Sequence, residues 1–187
     1  AEDLDERIDR TSKTLIEQID TLSNIATEFS SFAQMPKSNI QQVDLRELLT
    51  SASELYRNSD ADVFLNIETQ NQCFVAADKE QMLRVFNNLI KNGIQAVDEG
   101  KTARIELTLS QSENRYTVSV KDNGAGIPED LQEKIFVPNF TTKSSGMGLG
   151  LAMVKNIVES VGGEISFRSE PRSRHHLPNF LSGCLIA

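Results

Sequence analysis

A single apolar stripe runs through the first 35 residues, which contain no glycine and no proline before Pro36. Its apolar members are Leu4, Ile8, Leu15, Ile19, Leu22, Ile25, Phe29 and Phe32. With Thr11 and Ala26 filling the stripe, the positions recur in steps of three and four. This spacing predicts one long helix with a narrow seam of the kind found in coiled coils and helical bundles. Such a helix would be about 50 Å long and would overhang a domain of ~150 residues. We therefore expect residues 1–36 to bury the stripe on another helix; packing on the chain's own domain is the alternative.

After Pro36 the pattern changes to that of a mixed α/β domain over residues 37–187. Alternating or short apolar runs predict strands at 40–43, 63–67, 73–76, 104–110, 115–121 and 164–169. Helical patterns cover 45–56, 78–97, 129–136 and 149–161. Asp44 and Asp78 stand where they can cap the first two of these helices.

Composition excludes several classes of function. The net charge of −8 argues against a nucleic-acid partner, which usually requires a basic face. No apolar run approaches the roughly 20 residues that cross a bilayer, so we expect no membrane contact.

The only cysteines, Cys73 and Cys184, form no CxxC pair, and the only histidines, His175 and His176, are adjacent. These residues predict a reducing, cytoplasmic location and no zinc site. Because the chain does not begin with Met, we interpret it as part of a longer protein, whose anchoring in the inner membrane stays open.

Two amide side chains and one carboxylate form the first part of a candidate ligand site. Asn88 and Asn92 are one turn apart on the helix predicted over 78–97 and share a face. A carboxamide oxygen there suits Mg²⁺, which takes few protein ligands besides phosphate oxygens. Asp122 follows an alternating strand, and Gly124 and Gly126 let the backbone come close to a flat ligand. The carboxylate could then accept a hydrogen bond from an amino group of that ligand. Exposed asparagines and a plain Asp-Asn-Gly turn are the alternatives.

A glycine-rich helix start supplies the second part. Residues 146–150 read Gly-Met-Gly-Leu-Gly, and bare backbone N–H groups at a helix start form an anion site. The spacing is that of neither a Rossmann fingerprint nor a P-loop. Lys143 can add positive charge at a terminal phosphate. For Phe136 and Phe140 we favour a role in pinning this loop to the core over contact with a ligand.

In this order the motifs resemble the N, G1, F and G2 boxes of the ATP-binding domain of sensor histidine kinases, in the superfamily shared with gyrase, Hsp90 and MutL. The resemblance covers residues 40–169, and the run from Gly146 to Lys155 is close to the family's motif sequence. It implies an α/β (α+β) two-layer sandwich, with a mixed, mostly antiparallel sheet, helices on one face and one long helix in front. Residues 1–36 would be the second helix of a dimerisation and phosphotransfer hairpin. The parent protein would be a homodimer through this helix, with a response regulator as partner.

The resemblance also assigns residues to the site. It implies ATP and Mg²⁺ as cofactors, Asn92 as the metal ligand, Asn88 and Lys143 as catalytic residues, and 128–147 as a lid. The residues that would contact the nucleotide are Asn88, Asn92, Asp122, Gly124, Gly126, Ile127, Phe140, Thr142, Lys143, Gly146, Gly148, Leu149 and Gly150.

The function implied is transfer of the γ-phosphoryl group of ATP to a histidine on the first helix of that hairpin, which is not among these 187 residues, for relay to a response regulator. A gyrase- or MutL-type ATP hydrolase is the first alternative. Those enzymes place a glutamate at the position of Asn88, and a carboxamide cannot act as a general base. A non-catalytic nucleotide-binding docking module is the second alternative.

The tail, residues 172–187, departs from the family. A Gly-x-Gly-Thr-Thr-Phe turn and a final apolar strand are usual there, whereas Arg174 to Asn179 read Arg-His-His-Leu-Pro-Asn. One set of codons that would encode that run is CGG-CAC-CAC-CTT-CCT-AAT, and reading this set one base later gives Gly-Thr-Thr-Phe-Leu. We hypothesise a frameshift near Pro171, with a genuine divergent tail as the alternative. Because of Pro178 and Gly183, we expect the tail to pair only poorly with the sheet. The alternatives are that its apolar residues settle on the exposed sheet edge or drive association between chains; these residues are Phe180, Leu181, Cys184, Leu185 and Ile186.

Overall fold

A computed structural model describes residues 4–33, 38–113, 115–142, 146–169 and 180–186. Helix α1 spans Leu4–Ala33, so the long N-terminal helix is confirmed, while Pro36 lies outside the described residues. Members of its apolar stripe are more than half exposed, including Leu15 at 57%, Ile19 at 63% and Leu22 at 64%. The alternative, in which this stripe packs on the chain's own domain, is wrong for these residues.

The remaining elements are β1 (Gln41–Asp44), α2 (Leu45–Glu54), β2 (Asp62–Ile67), β3 (Phe74–Ala77), α3 (Lys79–Gln95), β4 (Arg104–Ser112), β5 (Arg115–Asp122), α4 (Glu129–Gln132), α5 (Gly150–Ser160), β6 (Glu164–Ile165) and β7 (Phe180–Ile186). Five strands form one sheet in the order β2-β4-β5-β7-β6, and β1 pairs with β3 in a separate two-stranded sheet. Strands β2 and β4 are parallel, and the other neighbouring strands in the described part of the chain pair antiparallel. The mixed, mostly antiparallel sheet is therefore confirmed.

One face of the five-stranded sheet carries the core. Alternate residues of β4, such as Ile105, Leu107 and Leu109, are fully buried together with Phe86 of α3 and Leu48 of α2. Each such side chain contributes about 1.5–3 kcal/mol through burial. The intervening residues of β4 and β5 carry charge on the other face, where ion pairs join Glu106 to Arg104 and Lys121. This alternation gives the predicted two layers, with α2, α3 and α5 on one face.

Both predicted helix caps are confirmed. The Asp44 carboxylate accepts a hydrogen bond from Arg46 N at 2.9 Å at the start of α2. The Asp78 carboxylate accepts from the backbone N–H groups of Glu80 and Gln81 at the start of α3 and from Asn39 N at 2.7 Å. Burial raises the pKa of Asp78, but the three N–H donors and Arg84 outweigh it, so the pKa lies below its ordinary value.

The tail departs from expectation. Strand β7 pairs with β5 from Tyr116↔Ile186 to Lys121↔Phe180, and with β6 on its other side. The prediction that the tail pairs only poorly is therefore wrong. The register shifts between Val118 and Val120, so that Ser182 and Gly183 together stand opposite Ser119 in a bulge. The bulge absorbs the glycine that we expected to break the strand, and Pro178 lies outside the described residues.

Candidate nucleotide-binding site

Helix α3 is the element around which the predicted site residues meet. Asn88 and Asn92 are both half-buried on it, one turn apart, as expected. The Asn88 side chain donates from Nδ2 to Arg84 O at 2.9 Å, one turn earlier in the same helix. This hydrogen bond uses one of the two N–H donors of the amide and does not involve its carbonyl oxygen, Oδ1.

Asp122, the last residue of β5, lies against α3 and is only 5% exposed. Its Oδ1 accepts a hydrogen bond from Gly124 N at 2.8 Å. Burial raises the pKa of the Asp122 carboxyl above its ordinary value, and the Gly124 hydrogen bond offsets part of that shift. A Cβ on Gly93 would lie 3.1 Å from Asp122 Cβ and 2.7 Å from Ile105 Cδ1, so the glycine next to Asn92 is what lets the carboxylate approach the helix.

The glycine turn after Asp122 is fastened to the end of α3. Ala125 N donates to Ala96 O at 2.9 Å. A Cβ on Gly124 would stand 2.6 Å from Ala96 Cβ, and Gly126 has a φ of +79°. The first glycine is thus required by close approach and the second by its left-handed backbone. A strong turn motif is therefore present, but it is packed on α3 and does not lie free at the surface.

The lid segment is held at its aromatic residues. The ring of Phe136 meets Phe167 edge to face at 5.9 Å and has Lys155 Nζ over it at 5.9 Å. Phe136 therefore attaches the loop to α5 and to the segment after β6, and the choice between pinning to the core and ligand contact stays a prediction. Phe140 is half-buried, and its backbone atoms lie next to Gly148.

The glycine-rich start of α5 is shaped by two neighbours. A Cβ on Gly148, whose φ is +68°, would lie 2.3 Å from Phe140 O, and a Cβ on Gly150 would lie 2.8 Å from Asn88 Oδ1. Leu149 is 4% exposed, so its side chain belongs to the interior and only its backbone can face a ligand. Within the described part of the chain no side chain caps α5, which leaves its first N–H groups available to an anion.

The remaining predicted residues differ in how far the structure places them. Gly146 lies beside Thr141, and Thr142 is exposed. Ile127 is half-buried behind the glycine turn. Lys143 lies outside the described residues, as do His175 and His176. The ligand contacts of all these residues stay predictions.

Sequence reasoning missed four residues that contact the predicted site residues or the glycine turn. Gly93 and Ala96 do so from α3 and its end, whereas Gln132 and Ser169 bond to the backbone of Ile127. Gly93 could have been noticed, because a glycine inside a helix costs about 1 kcal/mol relative to alanine and usually has a packing reason. The other three have no local signature, since their role depends on contacts between distant segments.

The site offers the chemical groups that a nucleotide pocket needs. A buried carboxylate, amide oxygens and an uncapped helix start suit an amino group, a hydrated Mg²⁺ and phosphates respectively. Among the residues that the structure describes, no group of three or more His, Cys, Asp or Glu side chains is placed to hold a metal ion. No helix in the described ranges is long and apolar enough to cross a membrane.

Comparison with known proteins decides the family. The model of the "Histidine kinase-, DNA gyrase B-, and HSP90-like ATPase" family matches residues 77–179, more than half of the chain. The chain belongs to this ATPase family. The match begins one residue before Asp78 and includes both α3 and α5.

Several relatives are named as histidine kinases. The chain is 29% identical to the nitrogen regulation protein NtrY of Azorhizobium caulinodans, over 90% of this chain and 23% of that protein. It is 36% identical to the sensor histidine kinase ZraS of Escherichia coli O157:H7, over 84% of this chain and 35% of that protein. The chain spans about a quarter to a third of the length of the first curated relatives that it matches.

Solved structures agree on the fold. The catalytic domain of the histidine kinase ThkA is 31% identical, with a TM-score of 0.66 over 79% of this chain and 95% of that one. ThkA in complex with the response regulator protein TrrA matches 100% of this chain and 52% of that chain, with 26% identity and a TM-score of 0.73. The two-layer α+β architecture of this ATPase domain is thus the one seen in histidine kinase catalytic domains.

Proposed function

We propose that this chain is the ATP-binding catalytic domain of a two-component sensor histidine kinase. It transfers the γ-phosphoryl group of ATP to a histidine on a separate helix, from which a response regulator takes it. The observation that carries the proposal is the convergence on α3, where Gly93 meets Asp122 and Asn88 meets Gly150. One helix therefore links the base end of the site to its phosphate end.

In this proposal each end of the site has its own task. Asp122 accepts a hydrogen bond from the adenine amino group, and the glycine turn lets the ring approach. The first N–H groups of α5 and Lys143 bind the phosphates. Mg²⁺, when bound, neutralises charge on the transferring group. Asn92 offers it a carboxamide oxygen, which suits an ion that otherwise keeps water and phosphate ligands.

The residue at the reacting end favours a kinase over a hydrolase. Asn88 uses Nδ2 on Arg84 O and turns Oδ1 towards the start of α5. A carboxamide in this position can orient a ligand but cannot take a proton from water. Transfer then depends on an acceptor that brings its own nucleophile, as a histidine does.

The exposed stripe of α1 supports a helical partner. Ile8, Leu15, Ile19, Leu22 and Phe29 are each at least 50% exposed and lie at helical spacing. We infer that this stripe joins the other helix of the hairpin and the second protomer of a homodimer. The complex of ThkA with TrrA supports a response regulator as partner. The charge of −8 supports a partner other than nucleic acid, and the free, buried Cys73 suits the reducing cytoplasm.

A phosphotransfer assay tests the proposal. The chain is mixed with Mg²⁺, γ-labelled ATP and the complete hairpin from the parent gene, with a hairpin lacking the acceptor histidine as control. We expect acid-labile label on the first hairpin alone, and loss of that label when the cognate response regulator is added. Free labelled phosphate without labelled hairpin would indicate the hydrolase, and nucleotide binding with neither product would indicate the docking module.

A further inference from the structure

Both backbone polar groups of Ile127 are held by side chains from elsewhere in the chain. Its N–H donates to Ser169 Oγ at 2.6 Å, and its carbonyl accepts from Gln132 Nε2 at 3.0 Å. Gln132 Nε2 also lies 3.4 Å from Ser169 O. These three residues form a closed arrangement, here called the Ile127 clamp.

The clamp joins distant parts of the chain. Ser169 is 42 residues beyond Ile127, in the segment 166–169 that follows β6. Phe167 of the same segment packs edge to face on Phe136, so the segment touches the beginning of the lid at two places. These contacts explain why β6 ends at Ile165 and does not continue to residue 169 as the alternating pattern predicted: the chain leaves the sheet to reach the lid.

The position of the clamp bears on the glycine turn that follows Asp122. The near side of the turn is fixed by Gly124 N on Asp122 Oδ1 and by Ala125 N on Ala96 O. Gly126, in the left-handed region, then gives the backbone freedom on the far side. The hydrogen bond that Ile127 N–H donates to Ser169 Oγ restricts the backbone directly after this glycine.

We propose that Ser169 is a positioning residue for the base end of the nucleotide site. It contacts no ligand; it fixes Ile127, and through it the turn against which the adenine ring would lie. This inference rests on the proposed function. It also joins the tail to the site, because Ser169 lies between β6 and the tail strand β7 that pairs with β6.

Two ligand probes separate this role from a general structural one. Magnesium–ATP reports on both ends of the site, whereas magnesium–tripolyphosphate reports on the phosphate end alone. By titration calorimetry Ser169→Ala should weaken ATP about three- to tenfold, as one lost hydrogen bond implies. Tripolyphosphate affinity should stay within twofold of wild type. Ser169→Thr, which keeps the acceptor oxygen, should restore ATP affinity. Ser160→Ala is the matched control, because Ser160 Oγ donates a local hydrogen bond to Ile157 O at 2.7 Å.

Unchanged ATP affinity in Ser169→Ala, or equal loss of ATP and tripolyphosphate, would overturn the proposal. If Ser169→Ala does not fold, Gln132→Glu replaces it, since a carboxylate cannot donate to Ile127 O; the same two probes and the same outcomes then apply. Failure of wild type to bind ATP would defeat the proposed function instead. In that case hydrogen exchange of the Ile127 amide decides the clamp: faster exchange in Ser169→Ala than in Ser160→Ala supports it, and equal exchange overturns it.

Discussion

Replacing Asp122 by asparagine separates the function of the buried carboxylate from its effect on stability. Asn keeps the size of the side chain and can still accept from Gly124 N through its oxygen, as Asp122 does at 2.8 Å. Its NH₂ group then faces the position of the adenine amino group, so two donors meet. Loss of a hydrogen bond to a charged, buried group costs about 2–3 kcal/mol, which corresponds to about a 30- to 150-fold weaker ATP affinity.

The effect of this change on folding has the opposite sign. Burial raises the pKa of Asp122 in the folded state above its value in the unfolded chain. The contribution of such a carboxyl to stability is present below its unfolded pKa of about 4 and is lost as pH rises through the folded pKa. Asp122→Asn has no such loss. The thermal midpoint of the variant relative to wild type should therefore rise between pH 4 and pH 7 without nucleotide.

Titration calorimetry and thermal denaturation, run side by side, check both statements. Asp98→Asn is the control, because Asp98 is an exposed residue beyond α3 that pairs with Lys101 at 2.8 Å. It should bind ATP within twofold of wild type. Unchanged ATP affinity in Asp122→Asn would remove Asp122 from the site, and a midpoint below that of wild type at pH 7 would show that the charged carboxylate is structural.

Three further substitutions address the metal and the glycines. Asn92→Ala should weaken ATP at least tenfold with Mg²⁺ and less than twofold with EDTA in calorimetry; equal loss under both conditions would make Asn92 structural. Gly148→Ala should lower the thermal midpoint more than Gly100→Ala. Both glycines have a positive φ, which costs alanine about 1–2 kcal/mol. Of the two, Gly148 alone has backbone atoms within 4 Å of the new Cβ. Equal midpoints would contradict the contact. Gly150→Ala and Asn88→Ala should each weaken ATP binding. The double variant should lose less than the sum of the two, because the Asn88 oxygen would lie 2.8 Å from the new Cβ; strict additivity would exclude the contact.

Features that depend on local chemistry could be predicted from the sequence. Asp44 and Asp78 cap helices because a carboxylate before a helix accepts the first free N–H groups, whatever the fold. The faces of β4 and β5 follow from alternation alone. The asparagine pair and the Asp122 turn were likewise assigned to the correct elements, and the structure adds that Asp122 packs on α3 at Gly93, the neighbour of Asn92.

Features that depend on partners far along the chain could not be predicted in this way. The parallel pairing of β2 with β4 and the insertion of β7 between β5 and β6 are choices of sheet topology. Alternation does not encode them, and the bulge at Ser182 and Gly183 interrupts the alternation itself. The frameshift hypothesis for the tail stays a prediction that the nucleotides around Pro171 would decide. The pairing of β7 on both sides means that the residues present here serve as a strand in the sheet.

The central claim is that one pocket, assembled around α3, holds adenine at the Asp122 turn and phosphates at the start of α5. Amide chemical-shift mapping with separated parts of the ligand tests it most directly. Adenosine should perturb the amides of 123–127 and Asn92, magnesium–tripolyphosphate those of 146–151 and Asn88, and magnesium–ATP the union of the two sets. Perturbations by adenosine at 146–151, or by ATP at residues away from α3, both glycine segments and the lid 128–147, would contradict the claim.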